Sequence, residues 1–526
     1  MTLYSNLDKA DVESVTNWFT SFLANPNPLA SLSPTSKLNL VNSLLEDLAE
    51  NGAQKEWNEK ARLLALQTLK TLGRDPIGCD LLFSDSGFHT LMAHAHILQN
   101  SERLVDTPVS QEALICIANS LLIKEDTRGL FEKHKGVSSS TCRLRQEVLS
   151  INSQFLFSRI LFLMTVKPCI SVKRLIDELD IIDLLTKTIS THVNELSSPD
   201  SNRESTAPFT RESVLNEQLK LLFNLMLNEP KLDRDGDGEK SKEPVTTSKF
   251  IKLLYPITQI LIKIAPPSPL PLAPPYSHAI HALLNFPIEQ YKSIWFPPEP
   301  ENEQYALIEI LLDILQTMIF IAIKGDPDSN TDRQSNYGVD FDEVITPLVA
   351  LLKKLSEEDQ TTKTKIKNKL LPDDIDRSKP LEKGETLSAR LIRLMTSVMF
   401  PNLRDNVSEL LFTICDEDAH LFIHHVGYGN AAGFLMKRNI LIPPTSSSNL
   451  SSKTGEAINP ITGQYYQENP PSLTDMTDEE KEREAERLFV LFERLKKTGV
   501  MSVVNPVEQA INSGKFEEIN DDDNVS

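Results

Sequence analysis

Glycine is scarce in this chain, 18 of 526 residues, and none of it sits in a GxxxxGK[ST] phosphate loop. There is no GxSxG nucleophile turn and no HExxH helix, so the familiar signatures of nucleotide hydrolysis, acyl transfer and zinc proteolysis are missing. Aromatics make up only 6%, and alternating strand patterns are rare and short. The five cysteines, Cys79, Cys116, Cys142, Cys169 and Cys415, are odd in number, far apart and form no CxxC pair. Reduced, buried thiols are the expectation for them. The longest apolar run, LIEILLDILQTMIFIAI, carries Glu309 and Asp313 and reads as a buried helix, not a membrane span. The opening MTLYSNLDKADVES lacks a basic region followed by an apolar one, which points to a cytoplasmic protein. Positive charge is also in deficit: 54 Lys and Arg against 74 Asp and Glu leave a net charge of −20, which argues against nucleic acid as a partner.

What is present is leucine-rich helical periodicity. Leu63, Leu64, Leu66, Leu69 and Leu72 mark one helix that Gly73 and Pro76 should end. Similar runs follow near 109–123, 143–166, 171–193, 211–227, 246–263, 304–324, 341–356, 385–399 and 402–416. Several are apolar on more than one face, as expected when each helix pair packs on the pair before and the pair after. The expected fold is all-α, an armadillo/HEAT-like superhelix over residues 1–441, with degenerate repeats. Polar or proline-rich loops are expected at 196–210, 229–247, 264–275 and 325–339. Residues 442–475, rich in Ser, Thr, Asn and Pro, read as a flexible tether. Beyond it, 476–500 reads as an amphipathic helix with an apolar stripe of Ala485, Leu488, Phe489, Phe492 and Leu495. Thr477 with Glu480 forms its capping box, Lys496 and Lys497 close its last turn, and Gly499 stops it. Residues 501–526 are left as a short helix and an acidic, disordered tail.

Three motifs suggest chemistry and fail on their spacing. DRDGDGEKSKEP begins like a calcium loop, but its twelfth position is Pro244 where a bidentate glutamate is needed. GYGNAAG imitates a dinucleotide fingerprint, yet no strand and no acidic residue follow, so a tight glycine turn between two helices is preferred. His420 and His424, and His278 and His281, stand at helical spacing without a third ligand. No catalytic residue, metal or cofactor is nominated. The basic spacing is more suggestive. Lys70 and Arg74 fall on one helix face, and Lys363 and Lys367 on another with Lys365 and Lys369 alongside, a possible local patch for an acidic ligand.

The C-terminal half carries a resemblance. LLPDDIDRSKPLEKGETLSARLIRLMT, ELLFTICDE, HHVGYGNAAGFLMKRNIL, NPITG and MTDEEKEREAERLFVLFERL occur in order, with LLFNL and HALLNFP upstream. Together they resemble the synembryn family, chaperones and guanine-nucleotide exchange factors of heterotrimeric G-protein α subunits (Gα). The resemblance implies an armadillo/HEAT-like superhelix whose concave face receives the Gα C-terminal helix, while the helix beyond the tether braces the Gα switch region. It implies a Gα partner that is GDP-bound, nucleotide-free or nascent, a monomeric protein, and recruitment to the plasma membrane with Gα. It places Lys70, Arg74, Asn119, Lys363 and Lys367 as contacts to the Gα tail, and Leu488, Phe489 and Phe492 as contacts to the Gα body. Animal relatives carry an acidic, serine-rich phosphorylated stretch before NPITG. TSSSNLSSKTGEA lacks those acids, leaving Ser472 and Thr477 as the weak candidates. The competing reading is a passive armadillo-type adaptor that binds a peptide or helix without exchange activity.

Overall fold

The computed structural model describes residues 4–98, 105–167, 169–198, 208–232, 249–298, 304–328, 337–440, 458–459, 462–465 and 477. The expected bracing helix with Leu488, Phe489 and Phe492, the candidate Ser472, and the calcium-like loop lie outside them. The chain forms two compact units, Met1–Ala265 with Pro274–Phe286, and Pro266–Ala273 with Pro287–Ser526. Among the described residues an isolated antiparallel bridge joins Ile458 to Tyr465. No described helix is long and apolar enough to cross a membrane.

The first unit contains α1 (Val12–Leu23), α2 (Pro34–Leu48), α3 (Glu59–Leu72), α4 (Asp85–His94), α5 (Pro108–Ile123), α6 (Thr127–Lys133) and α7 (Gly136–Leu144). It continues with α8 (Ile151–Met164), α9 (Ile170–Asp177), α10 (Ile181–Leu196), α11 (Arg211–Leu232), α12 (Leu254–Lys263) and α13 (Tyr276–Leu283). One layer stacks α1, α3, α5, α8, α11 and α13 in succession; α2, α4, α7, α10 and α12 back it pair by pair. This is armadillo/HEAT-type stacking, and the sequence causes it directly. The α5 helix, PVSQEALICIANSLLI, buries Val109, Ala113, Leu114, Ile117 and Leu121 because it meets neighbours on several sides. Its start is fixed by a capping box of Thr107 and Ser110 with Pro108 in the first turn. Two expected helices are each a pair. Arg145 to Ser150 separate α7 from α8, and Asp180, at φ 44°, turns the chain between α9 and α10. An asparagine of α11 ties neighbouring helices of that layer: Asn228 Nδ2 donates to the Thr165 carbonyl at the end of α8 at 2.8 Å.

The second unit holds α14 (Lys292–Trp295), α15 (Ala306–Ala322), α16 (Phe341–Glu358), α17 (Gln360–Leu370), α18 (Leu387–Leu394), α19 (Pro401–Ile414), α20 (Ala419–Val426) and α21 (Tyr428–Lys437). Its centre is the pairing of α16 with α19, flanked by α15, α17 and α18. Phe400 occupies the N-cap of α19 and has no side chain to cap with. Buried Asp342 supplies the cap from α16, accepting from the Leu403 N–H at 2.7 Å. Arg390 is similarly embedded, donating to the Phe320 and Ile323 carbonyls at the end of α15 and lying 4.2 Å over the Phe320 ring.

Of the GYGNAAG segment, read as a tight turn between two helices, only Gly427 is the turn, and Tyr428 to Gly433 already belong to α21. Gly427, at φ 78°, ends α20 and opens α21. All five cysteines are free; Cys79, Cys116 and Cys415 are buried, but Cys142 is exposed and Cys169 half-buried. Cys142 lies on α7 outside its buried set of Val137, Ser140, Thr141 and Leu144, which explains the departure from the expected burial.

Candidate partner-binding site

In the first unit the candidate residues belong to α3 and α5, which pack on each other. Lys70 Nζ lies 2.5 Å from Glu112 Oε1, and the glutamate side chain is only 8% exposed. Burial raises the pKa of the Cys116 thiol one turn further along α5; Glu112 adds to the shift and Lys70 opposes it. Lys70 therefore lies along the α5 face that Glu112 and Cys116 share. Asn119 is half-buried on the next turn of the same helix.

Arg74 does not share a helix face with Lys70. The helix ends at Leu72, and the Gly73 N–H bonds back to the Leu69 carbonyl at 2.8 Å as its C-cap. Arg74 is an exposed residue in the turn that runs on to Pro76. The glycine and proline that mark the helix end also remove Arg74 from its periodicity.

In the second unit the four lysines of α17 fall on two faces at i,i+4 spacing. Lys365 and Lys369 meet Glu309 at 3.3 Å and Asp313 at 3.4 Å, themselves an i,i+4 pair on α15. Lys363 meets Asp416 at 3.1 Å, just past the end of α19. Lys367 shares the Lys363 face, and among the described residues it makes no ion pair. Its charge is felt by two buried neighbours. Burial first, with Lys367 opposing, pushes the Cys415 thiol up to about 12; burial first, with Lys367 adding, pushes His425 down to about 4. Lys367 thus acts on groups at the junction of α19 and α20, where Asp416, Asp418 and Asp373 are felt as well. Lys363 and Lys367 are brought together on one helix, whereas Lys70, Arg74 and Asn119 belong to the other unit. The acidic partners Glu112, Asp416, Glu309 and Asp313 escaped the sequence reading, although the matching i,i+4 spacing of Glu309 with Asp313 was a usable signal.

A second constellation joins three of the sequence blocks. Arg377, of DDIDR, is 4% exposed and donates from Nη1 to the Gly463 carbonyl, of NPITG, at 2.7 Å. The Arg377 carbonyl accepts from the Tyr465 N–H at 3.1 Å. A Cβ on Gly463 would stand 3.4 Å from the Gly427 Cα, of GYGNAAG, and 2.5 Å from Leu381 Cδ1. Among the described residues no three His, Cys, Asp or Glu side chains gather as a metal site.

These blocks coincide with a family match. Residues 65–515 fit the family described as guanine nucleotide exchange factor synembryn. The chain belongs to the synembryn family. Relatives include chaperone Ric-8A of Pongo abelii, 26% identical over 457 residues that cover 84% of this chain and 82% of that one. Chaperone Ric-8A of Gallus gallus is 24% identical over 495 residues, 87% of each chain. The synembryn match takes in both units, so the Lys70 and Lys367 neighbourhoods both lie inside the family region.

Proposed function

We propose that this chain is a guanine-nucleotide exchange factor and folding chaperone for heterotrimeric Gα subunits, acting as a monomer that prefers nucleotide-free Gα. The observation that carries the reading is the synembryn match over residues 65–515. The names of the chaperone Ric-8A relatives support the folding role.

Exchange of this kind needs no catalytic group. A protein that binds nucleotide-free Gα more tightly than the GDP form lowers the barrier to GDP release by that difference. A thousandfold faster release corresponds to about 4 kcal/mol. In this reading the Gα C-terminal helix docks by its acidic and carboxylate groups against Lys367, with Lys363, Lys70, Arg74 and Asn119 as further contacts. Lys363 and Lys70 can take part by sharing their present carboxylate partners. Leu488, Phe489 and Phe492 form the second contact, on the Gα body. Gα also brings the protein to the plasma membrane.

The test is GTPγS uptake by purified Gα·GDP, together with the variant Leu488→Ala/Phe489→Ala/Phe492→Ala. The reading expects acceleration by the natural chain, and a larger loss of exchange than of tail-peptide affinity in the variant. Peptide binding without acceleration would leave the passive adaptor.

A further inference from the structure

We propose that Arg159 and Lys220, gathered by Glu217, form a further carboxylate-binding point in the first unit, and that they read an acidic side chain of the Gα tail helix. The identity of the partner rests on the exchange reading; the geometry does not.

The arrangement at α3 and α5 occurs again further along the same layer. Glu217 of α11 has a side chain only 5% exposed. Its Oε1 accepts from Arg159 Nη1 of α8 at 3.1 Å and from Lys220 Nζ of its own helix at 2.6 Å. A nearly buried glutamate thus meets a half-buried cation from the preceding helix of the layer, as Glu112 meets Lys70. The register repeats as well. Asn119 follows Glu112, and Asn224 follows Glu217, by seven residues, two turns along the same face. Asn224 itself is occupied, donating to the Phe162 carbonyl at 3.3 Å.

The charge balance separates the two places. At α3 and α5 one lysine faces one carboxylate, whereas at α8 and α11 two cations share one, which leaves a local excess of positive charge. Among the described residues neither Arg159 nor Lys220 has a second carboxylate. Each gives one hydrogen bond, of the five that a guanidinium and the three that an ammonium can donate. The surroundings are aromatic. Lys220 Nζ stands 4.7 Å from the Phe162 ring centroid, and half-buried Phe223 meets His281 of α13 edge-on at 6.3 Å. The α13 helix, YSHAIHAL, adds no acidic side chain; burial first, with Lys220 and His281 adding, pushes its His278 down to about 4. Cations beside half-buried rings suit a helix that carries a carboxylate next to apolar side chains. Helices packed in one layer stand about 9 Å apart, so this point lies roughly 18 Å from the Lys70 pair. At a rise of about 1.5 Å per residue, about 12 residues of tail helix separate side chains that meet both.

The experiment titrates the full chain with a fluorescent peptide of about 20 residues from a Gα C-terminus, long enough to reach both points. A companion set of peptides carries one acidic side chain at a time as its amide. Arg159→Gln and Lys220→Gln each leave Glu217 paired with the other cation, so the packing of α8 on α11 is kept. Both are expected to weaken the peptide about threefold at unchanged helicity, with a loss that shrinks as salt is raised. Lys220→Arg should bind as the natural chain does. One of the single-amide peptides should show no loss with either glutamine variant, which identifies the carboxylate that is read. Glu217→Gln uncovers both cations and is expected to tighten the peptide about threefold, a change that a mere tie between α8 and α11 would not produce. Glutamine variants that bind like the natural chain overturn the proposal. So do losses that persist with every single-amide peptide, a folded Glu217→Gln chain that binds no tighter, or a natural chain that binds no tail peptide. Should Glu217→Gln fail to fold, Arg159→Gln and Lys220→Gln decide. GTPγS uptake is read separately: a natural chain that binds the peptide without accelerating uptake ends the exchange reading, and the titrations still decide this site.

Discussion

Lys70 Nζ closes on Glu112 Oε1 at 2.5 Å, binding α3 to α5 through a carboxylate that is almost fully buried. A lysine proposed as a partner contact is therefore also a structural counter-ion. Removing it leaves a buried negative charge unpaired, which costs on the order of 2–3 kcal/mol. We expect Lys70→Met to lower the urea midpoint accordingly, and Lys70→Met/Glu112→Gln to recover at least half of the loss. A single variant as stable as the natural chain would show that water already solvates Glu112.

Lys367 and Lys363 differ in the same sense. Lys363 already spends part of its field on Asp416, whereas among the described residues Lys367 has no ion-pair partner to release before it meets a new one. Lys367→Ala is expected to weaken binding of a fluorescent Gα tail peptide about fivefold, on the order of 1 kcal/mol, and the loss should shrink as salt is raised. Lys363→Ala should cost less. Equal, salt-independent effects of the two would remove the charge from the explanation.

Burial pushes His192 and His425 down to about 4. Both ring nitrogens of His192 lack a hydrogen-bond partner among the described residues, so its charged form has nothing to favour it. The unfolded value is about 6.5. Between these values the unfolded chain binds more protons, so stability is complete above about pH 6.5 and declines as pH falls toward 4. At pH 5 each histidine contributes a loss on the order of 2 kcal/mol. Denaturant melts at pH 7.5 and 5 should show that His192→Leu has a visibly smaller decline than the natural chain. An identical decline would assign the acid sensitivity to other groups.

How far these features could be read from sequence depended on how local they were. The runs at 211–227, 304–324 and 341–356 are helices because their apolar spacing is continuous. The 143–166 and 171–193 runs hid breaks, since apolar residues on both sides of a turn keep an apparent period that Asp180 interrupts only through its backbone. Arg74 was misplaced for the opposite reason: Gly73 ends a helix whose side-chain spacing continues past it. The bonds from Arg377 to Gly463 and from Asp342 to Leu403 join residues 86 and 61 positions apart. No periodicity encodes such pairs, although DDIDR, GYGNAAG and NPITG each stood out as blocks.

The central claim is that the chain speeds nucleotide release from Gα by preferring its empty form. The most direct measurement is GTPγS uptake by purified Gα·GDP with and without the full chain at micromolar concentration, at fixed salt. The account predicts an uptake rate that rises with the chain's concentration and saturates, and a stable complex with Gα that added GTPγS dissolves. An uptake rate unchanged at saturating protein, with Gα tail peptide still bound, would contradict it.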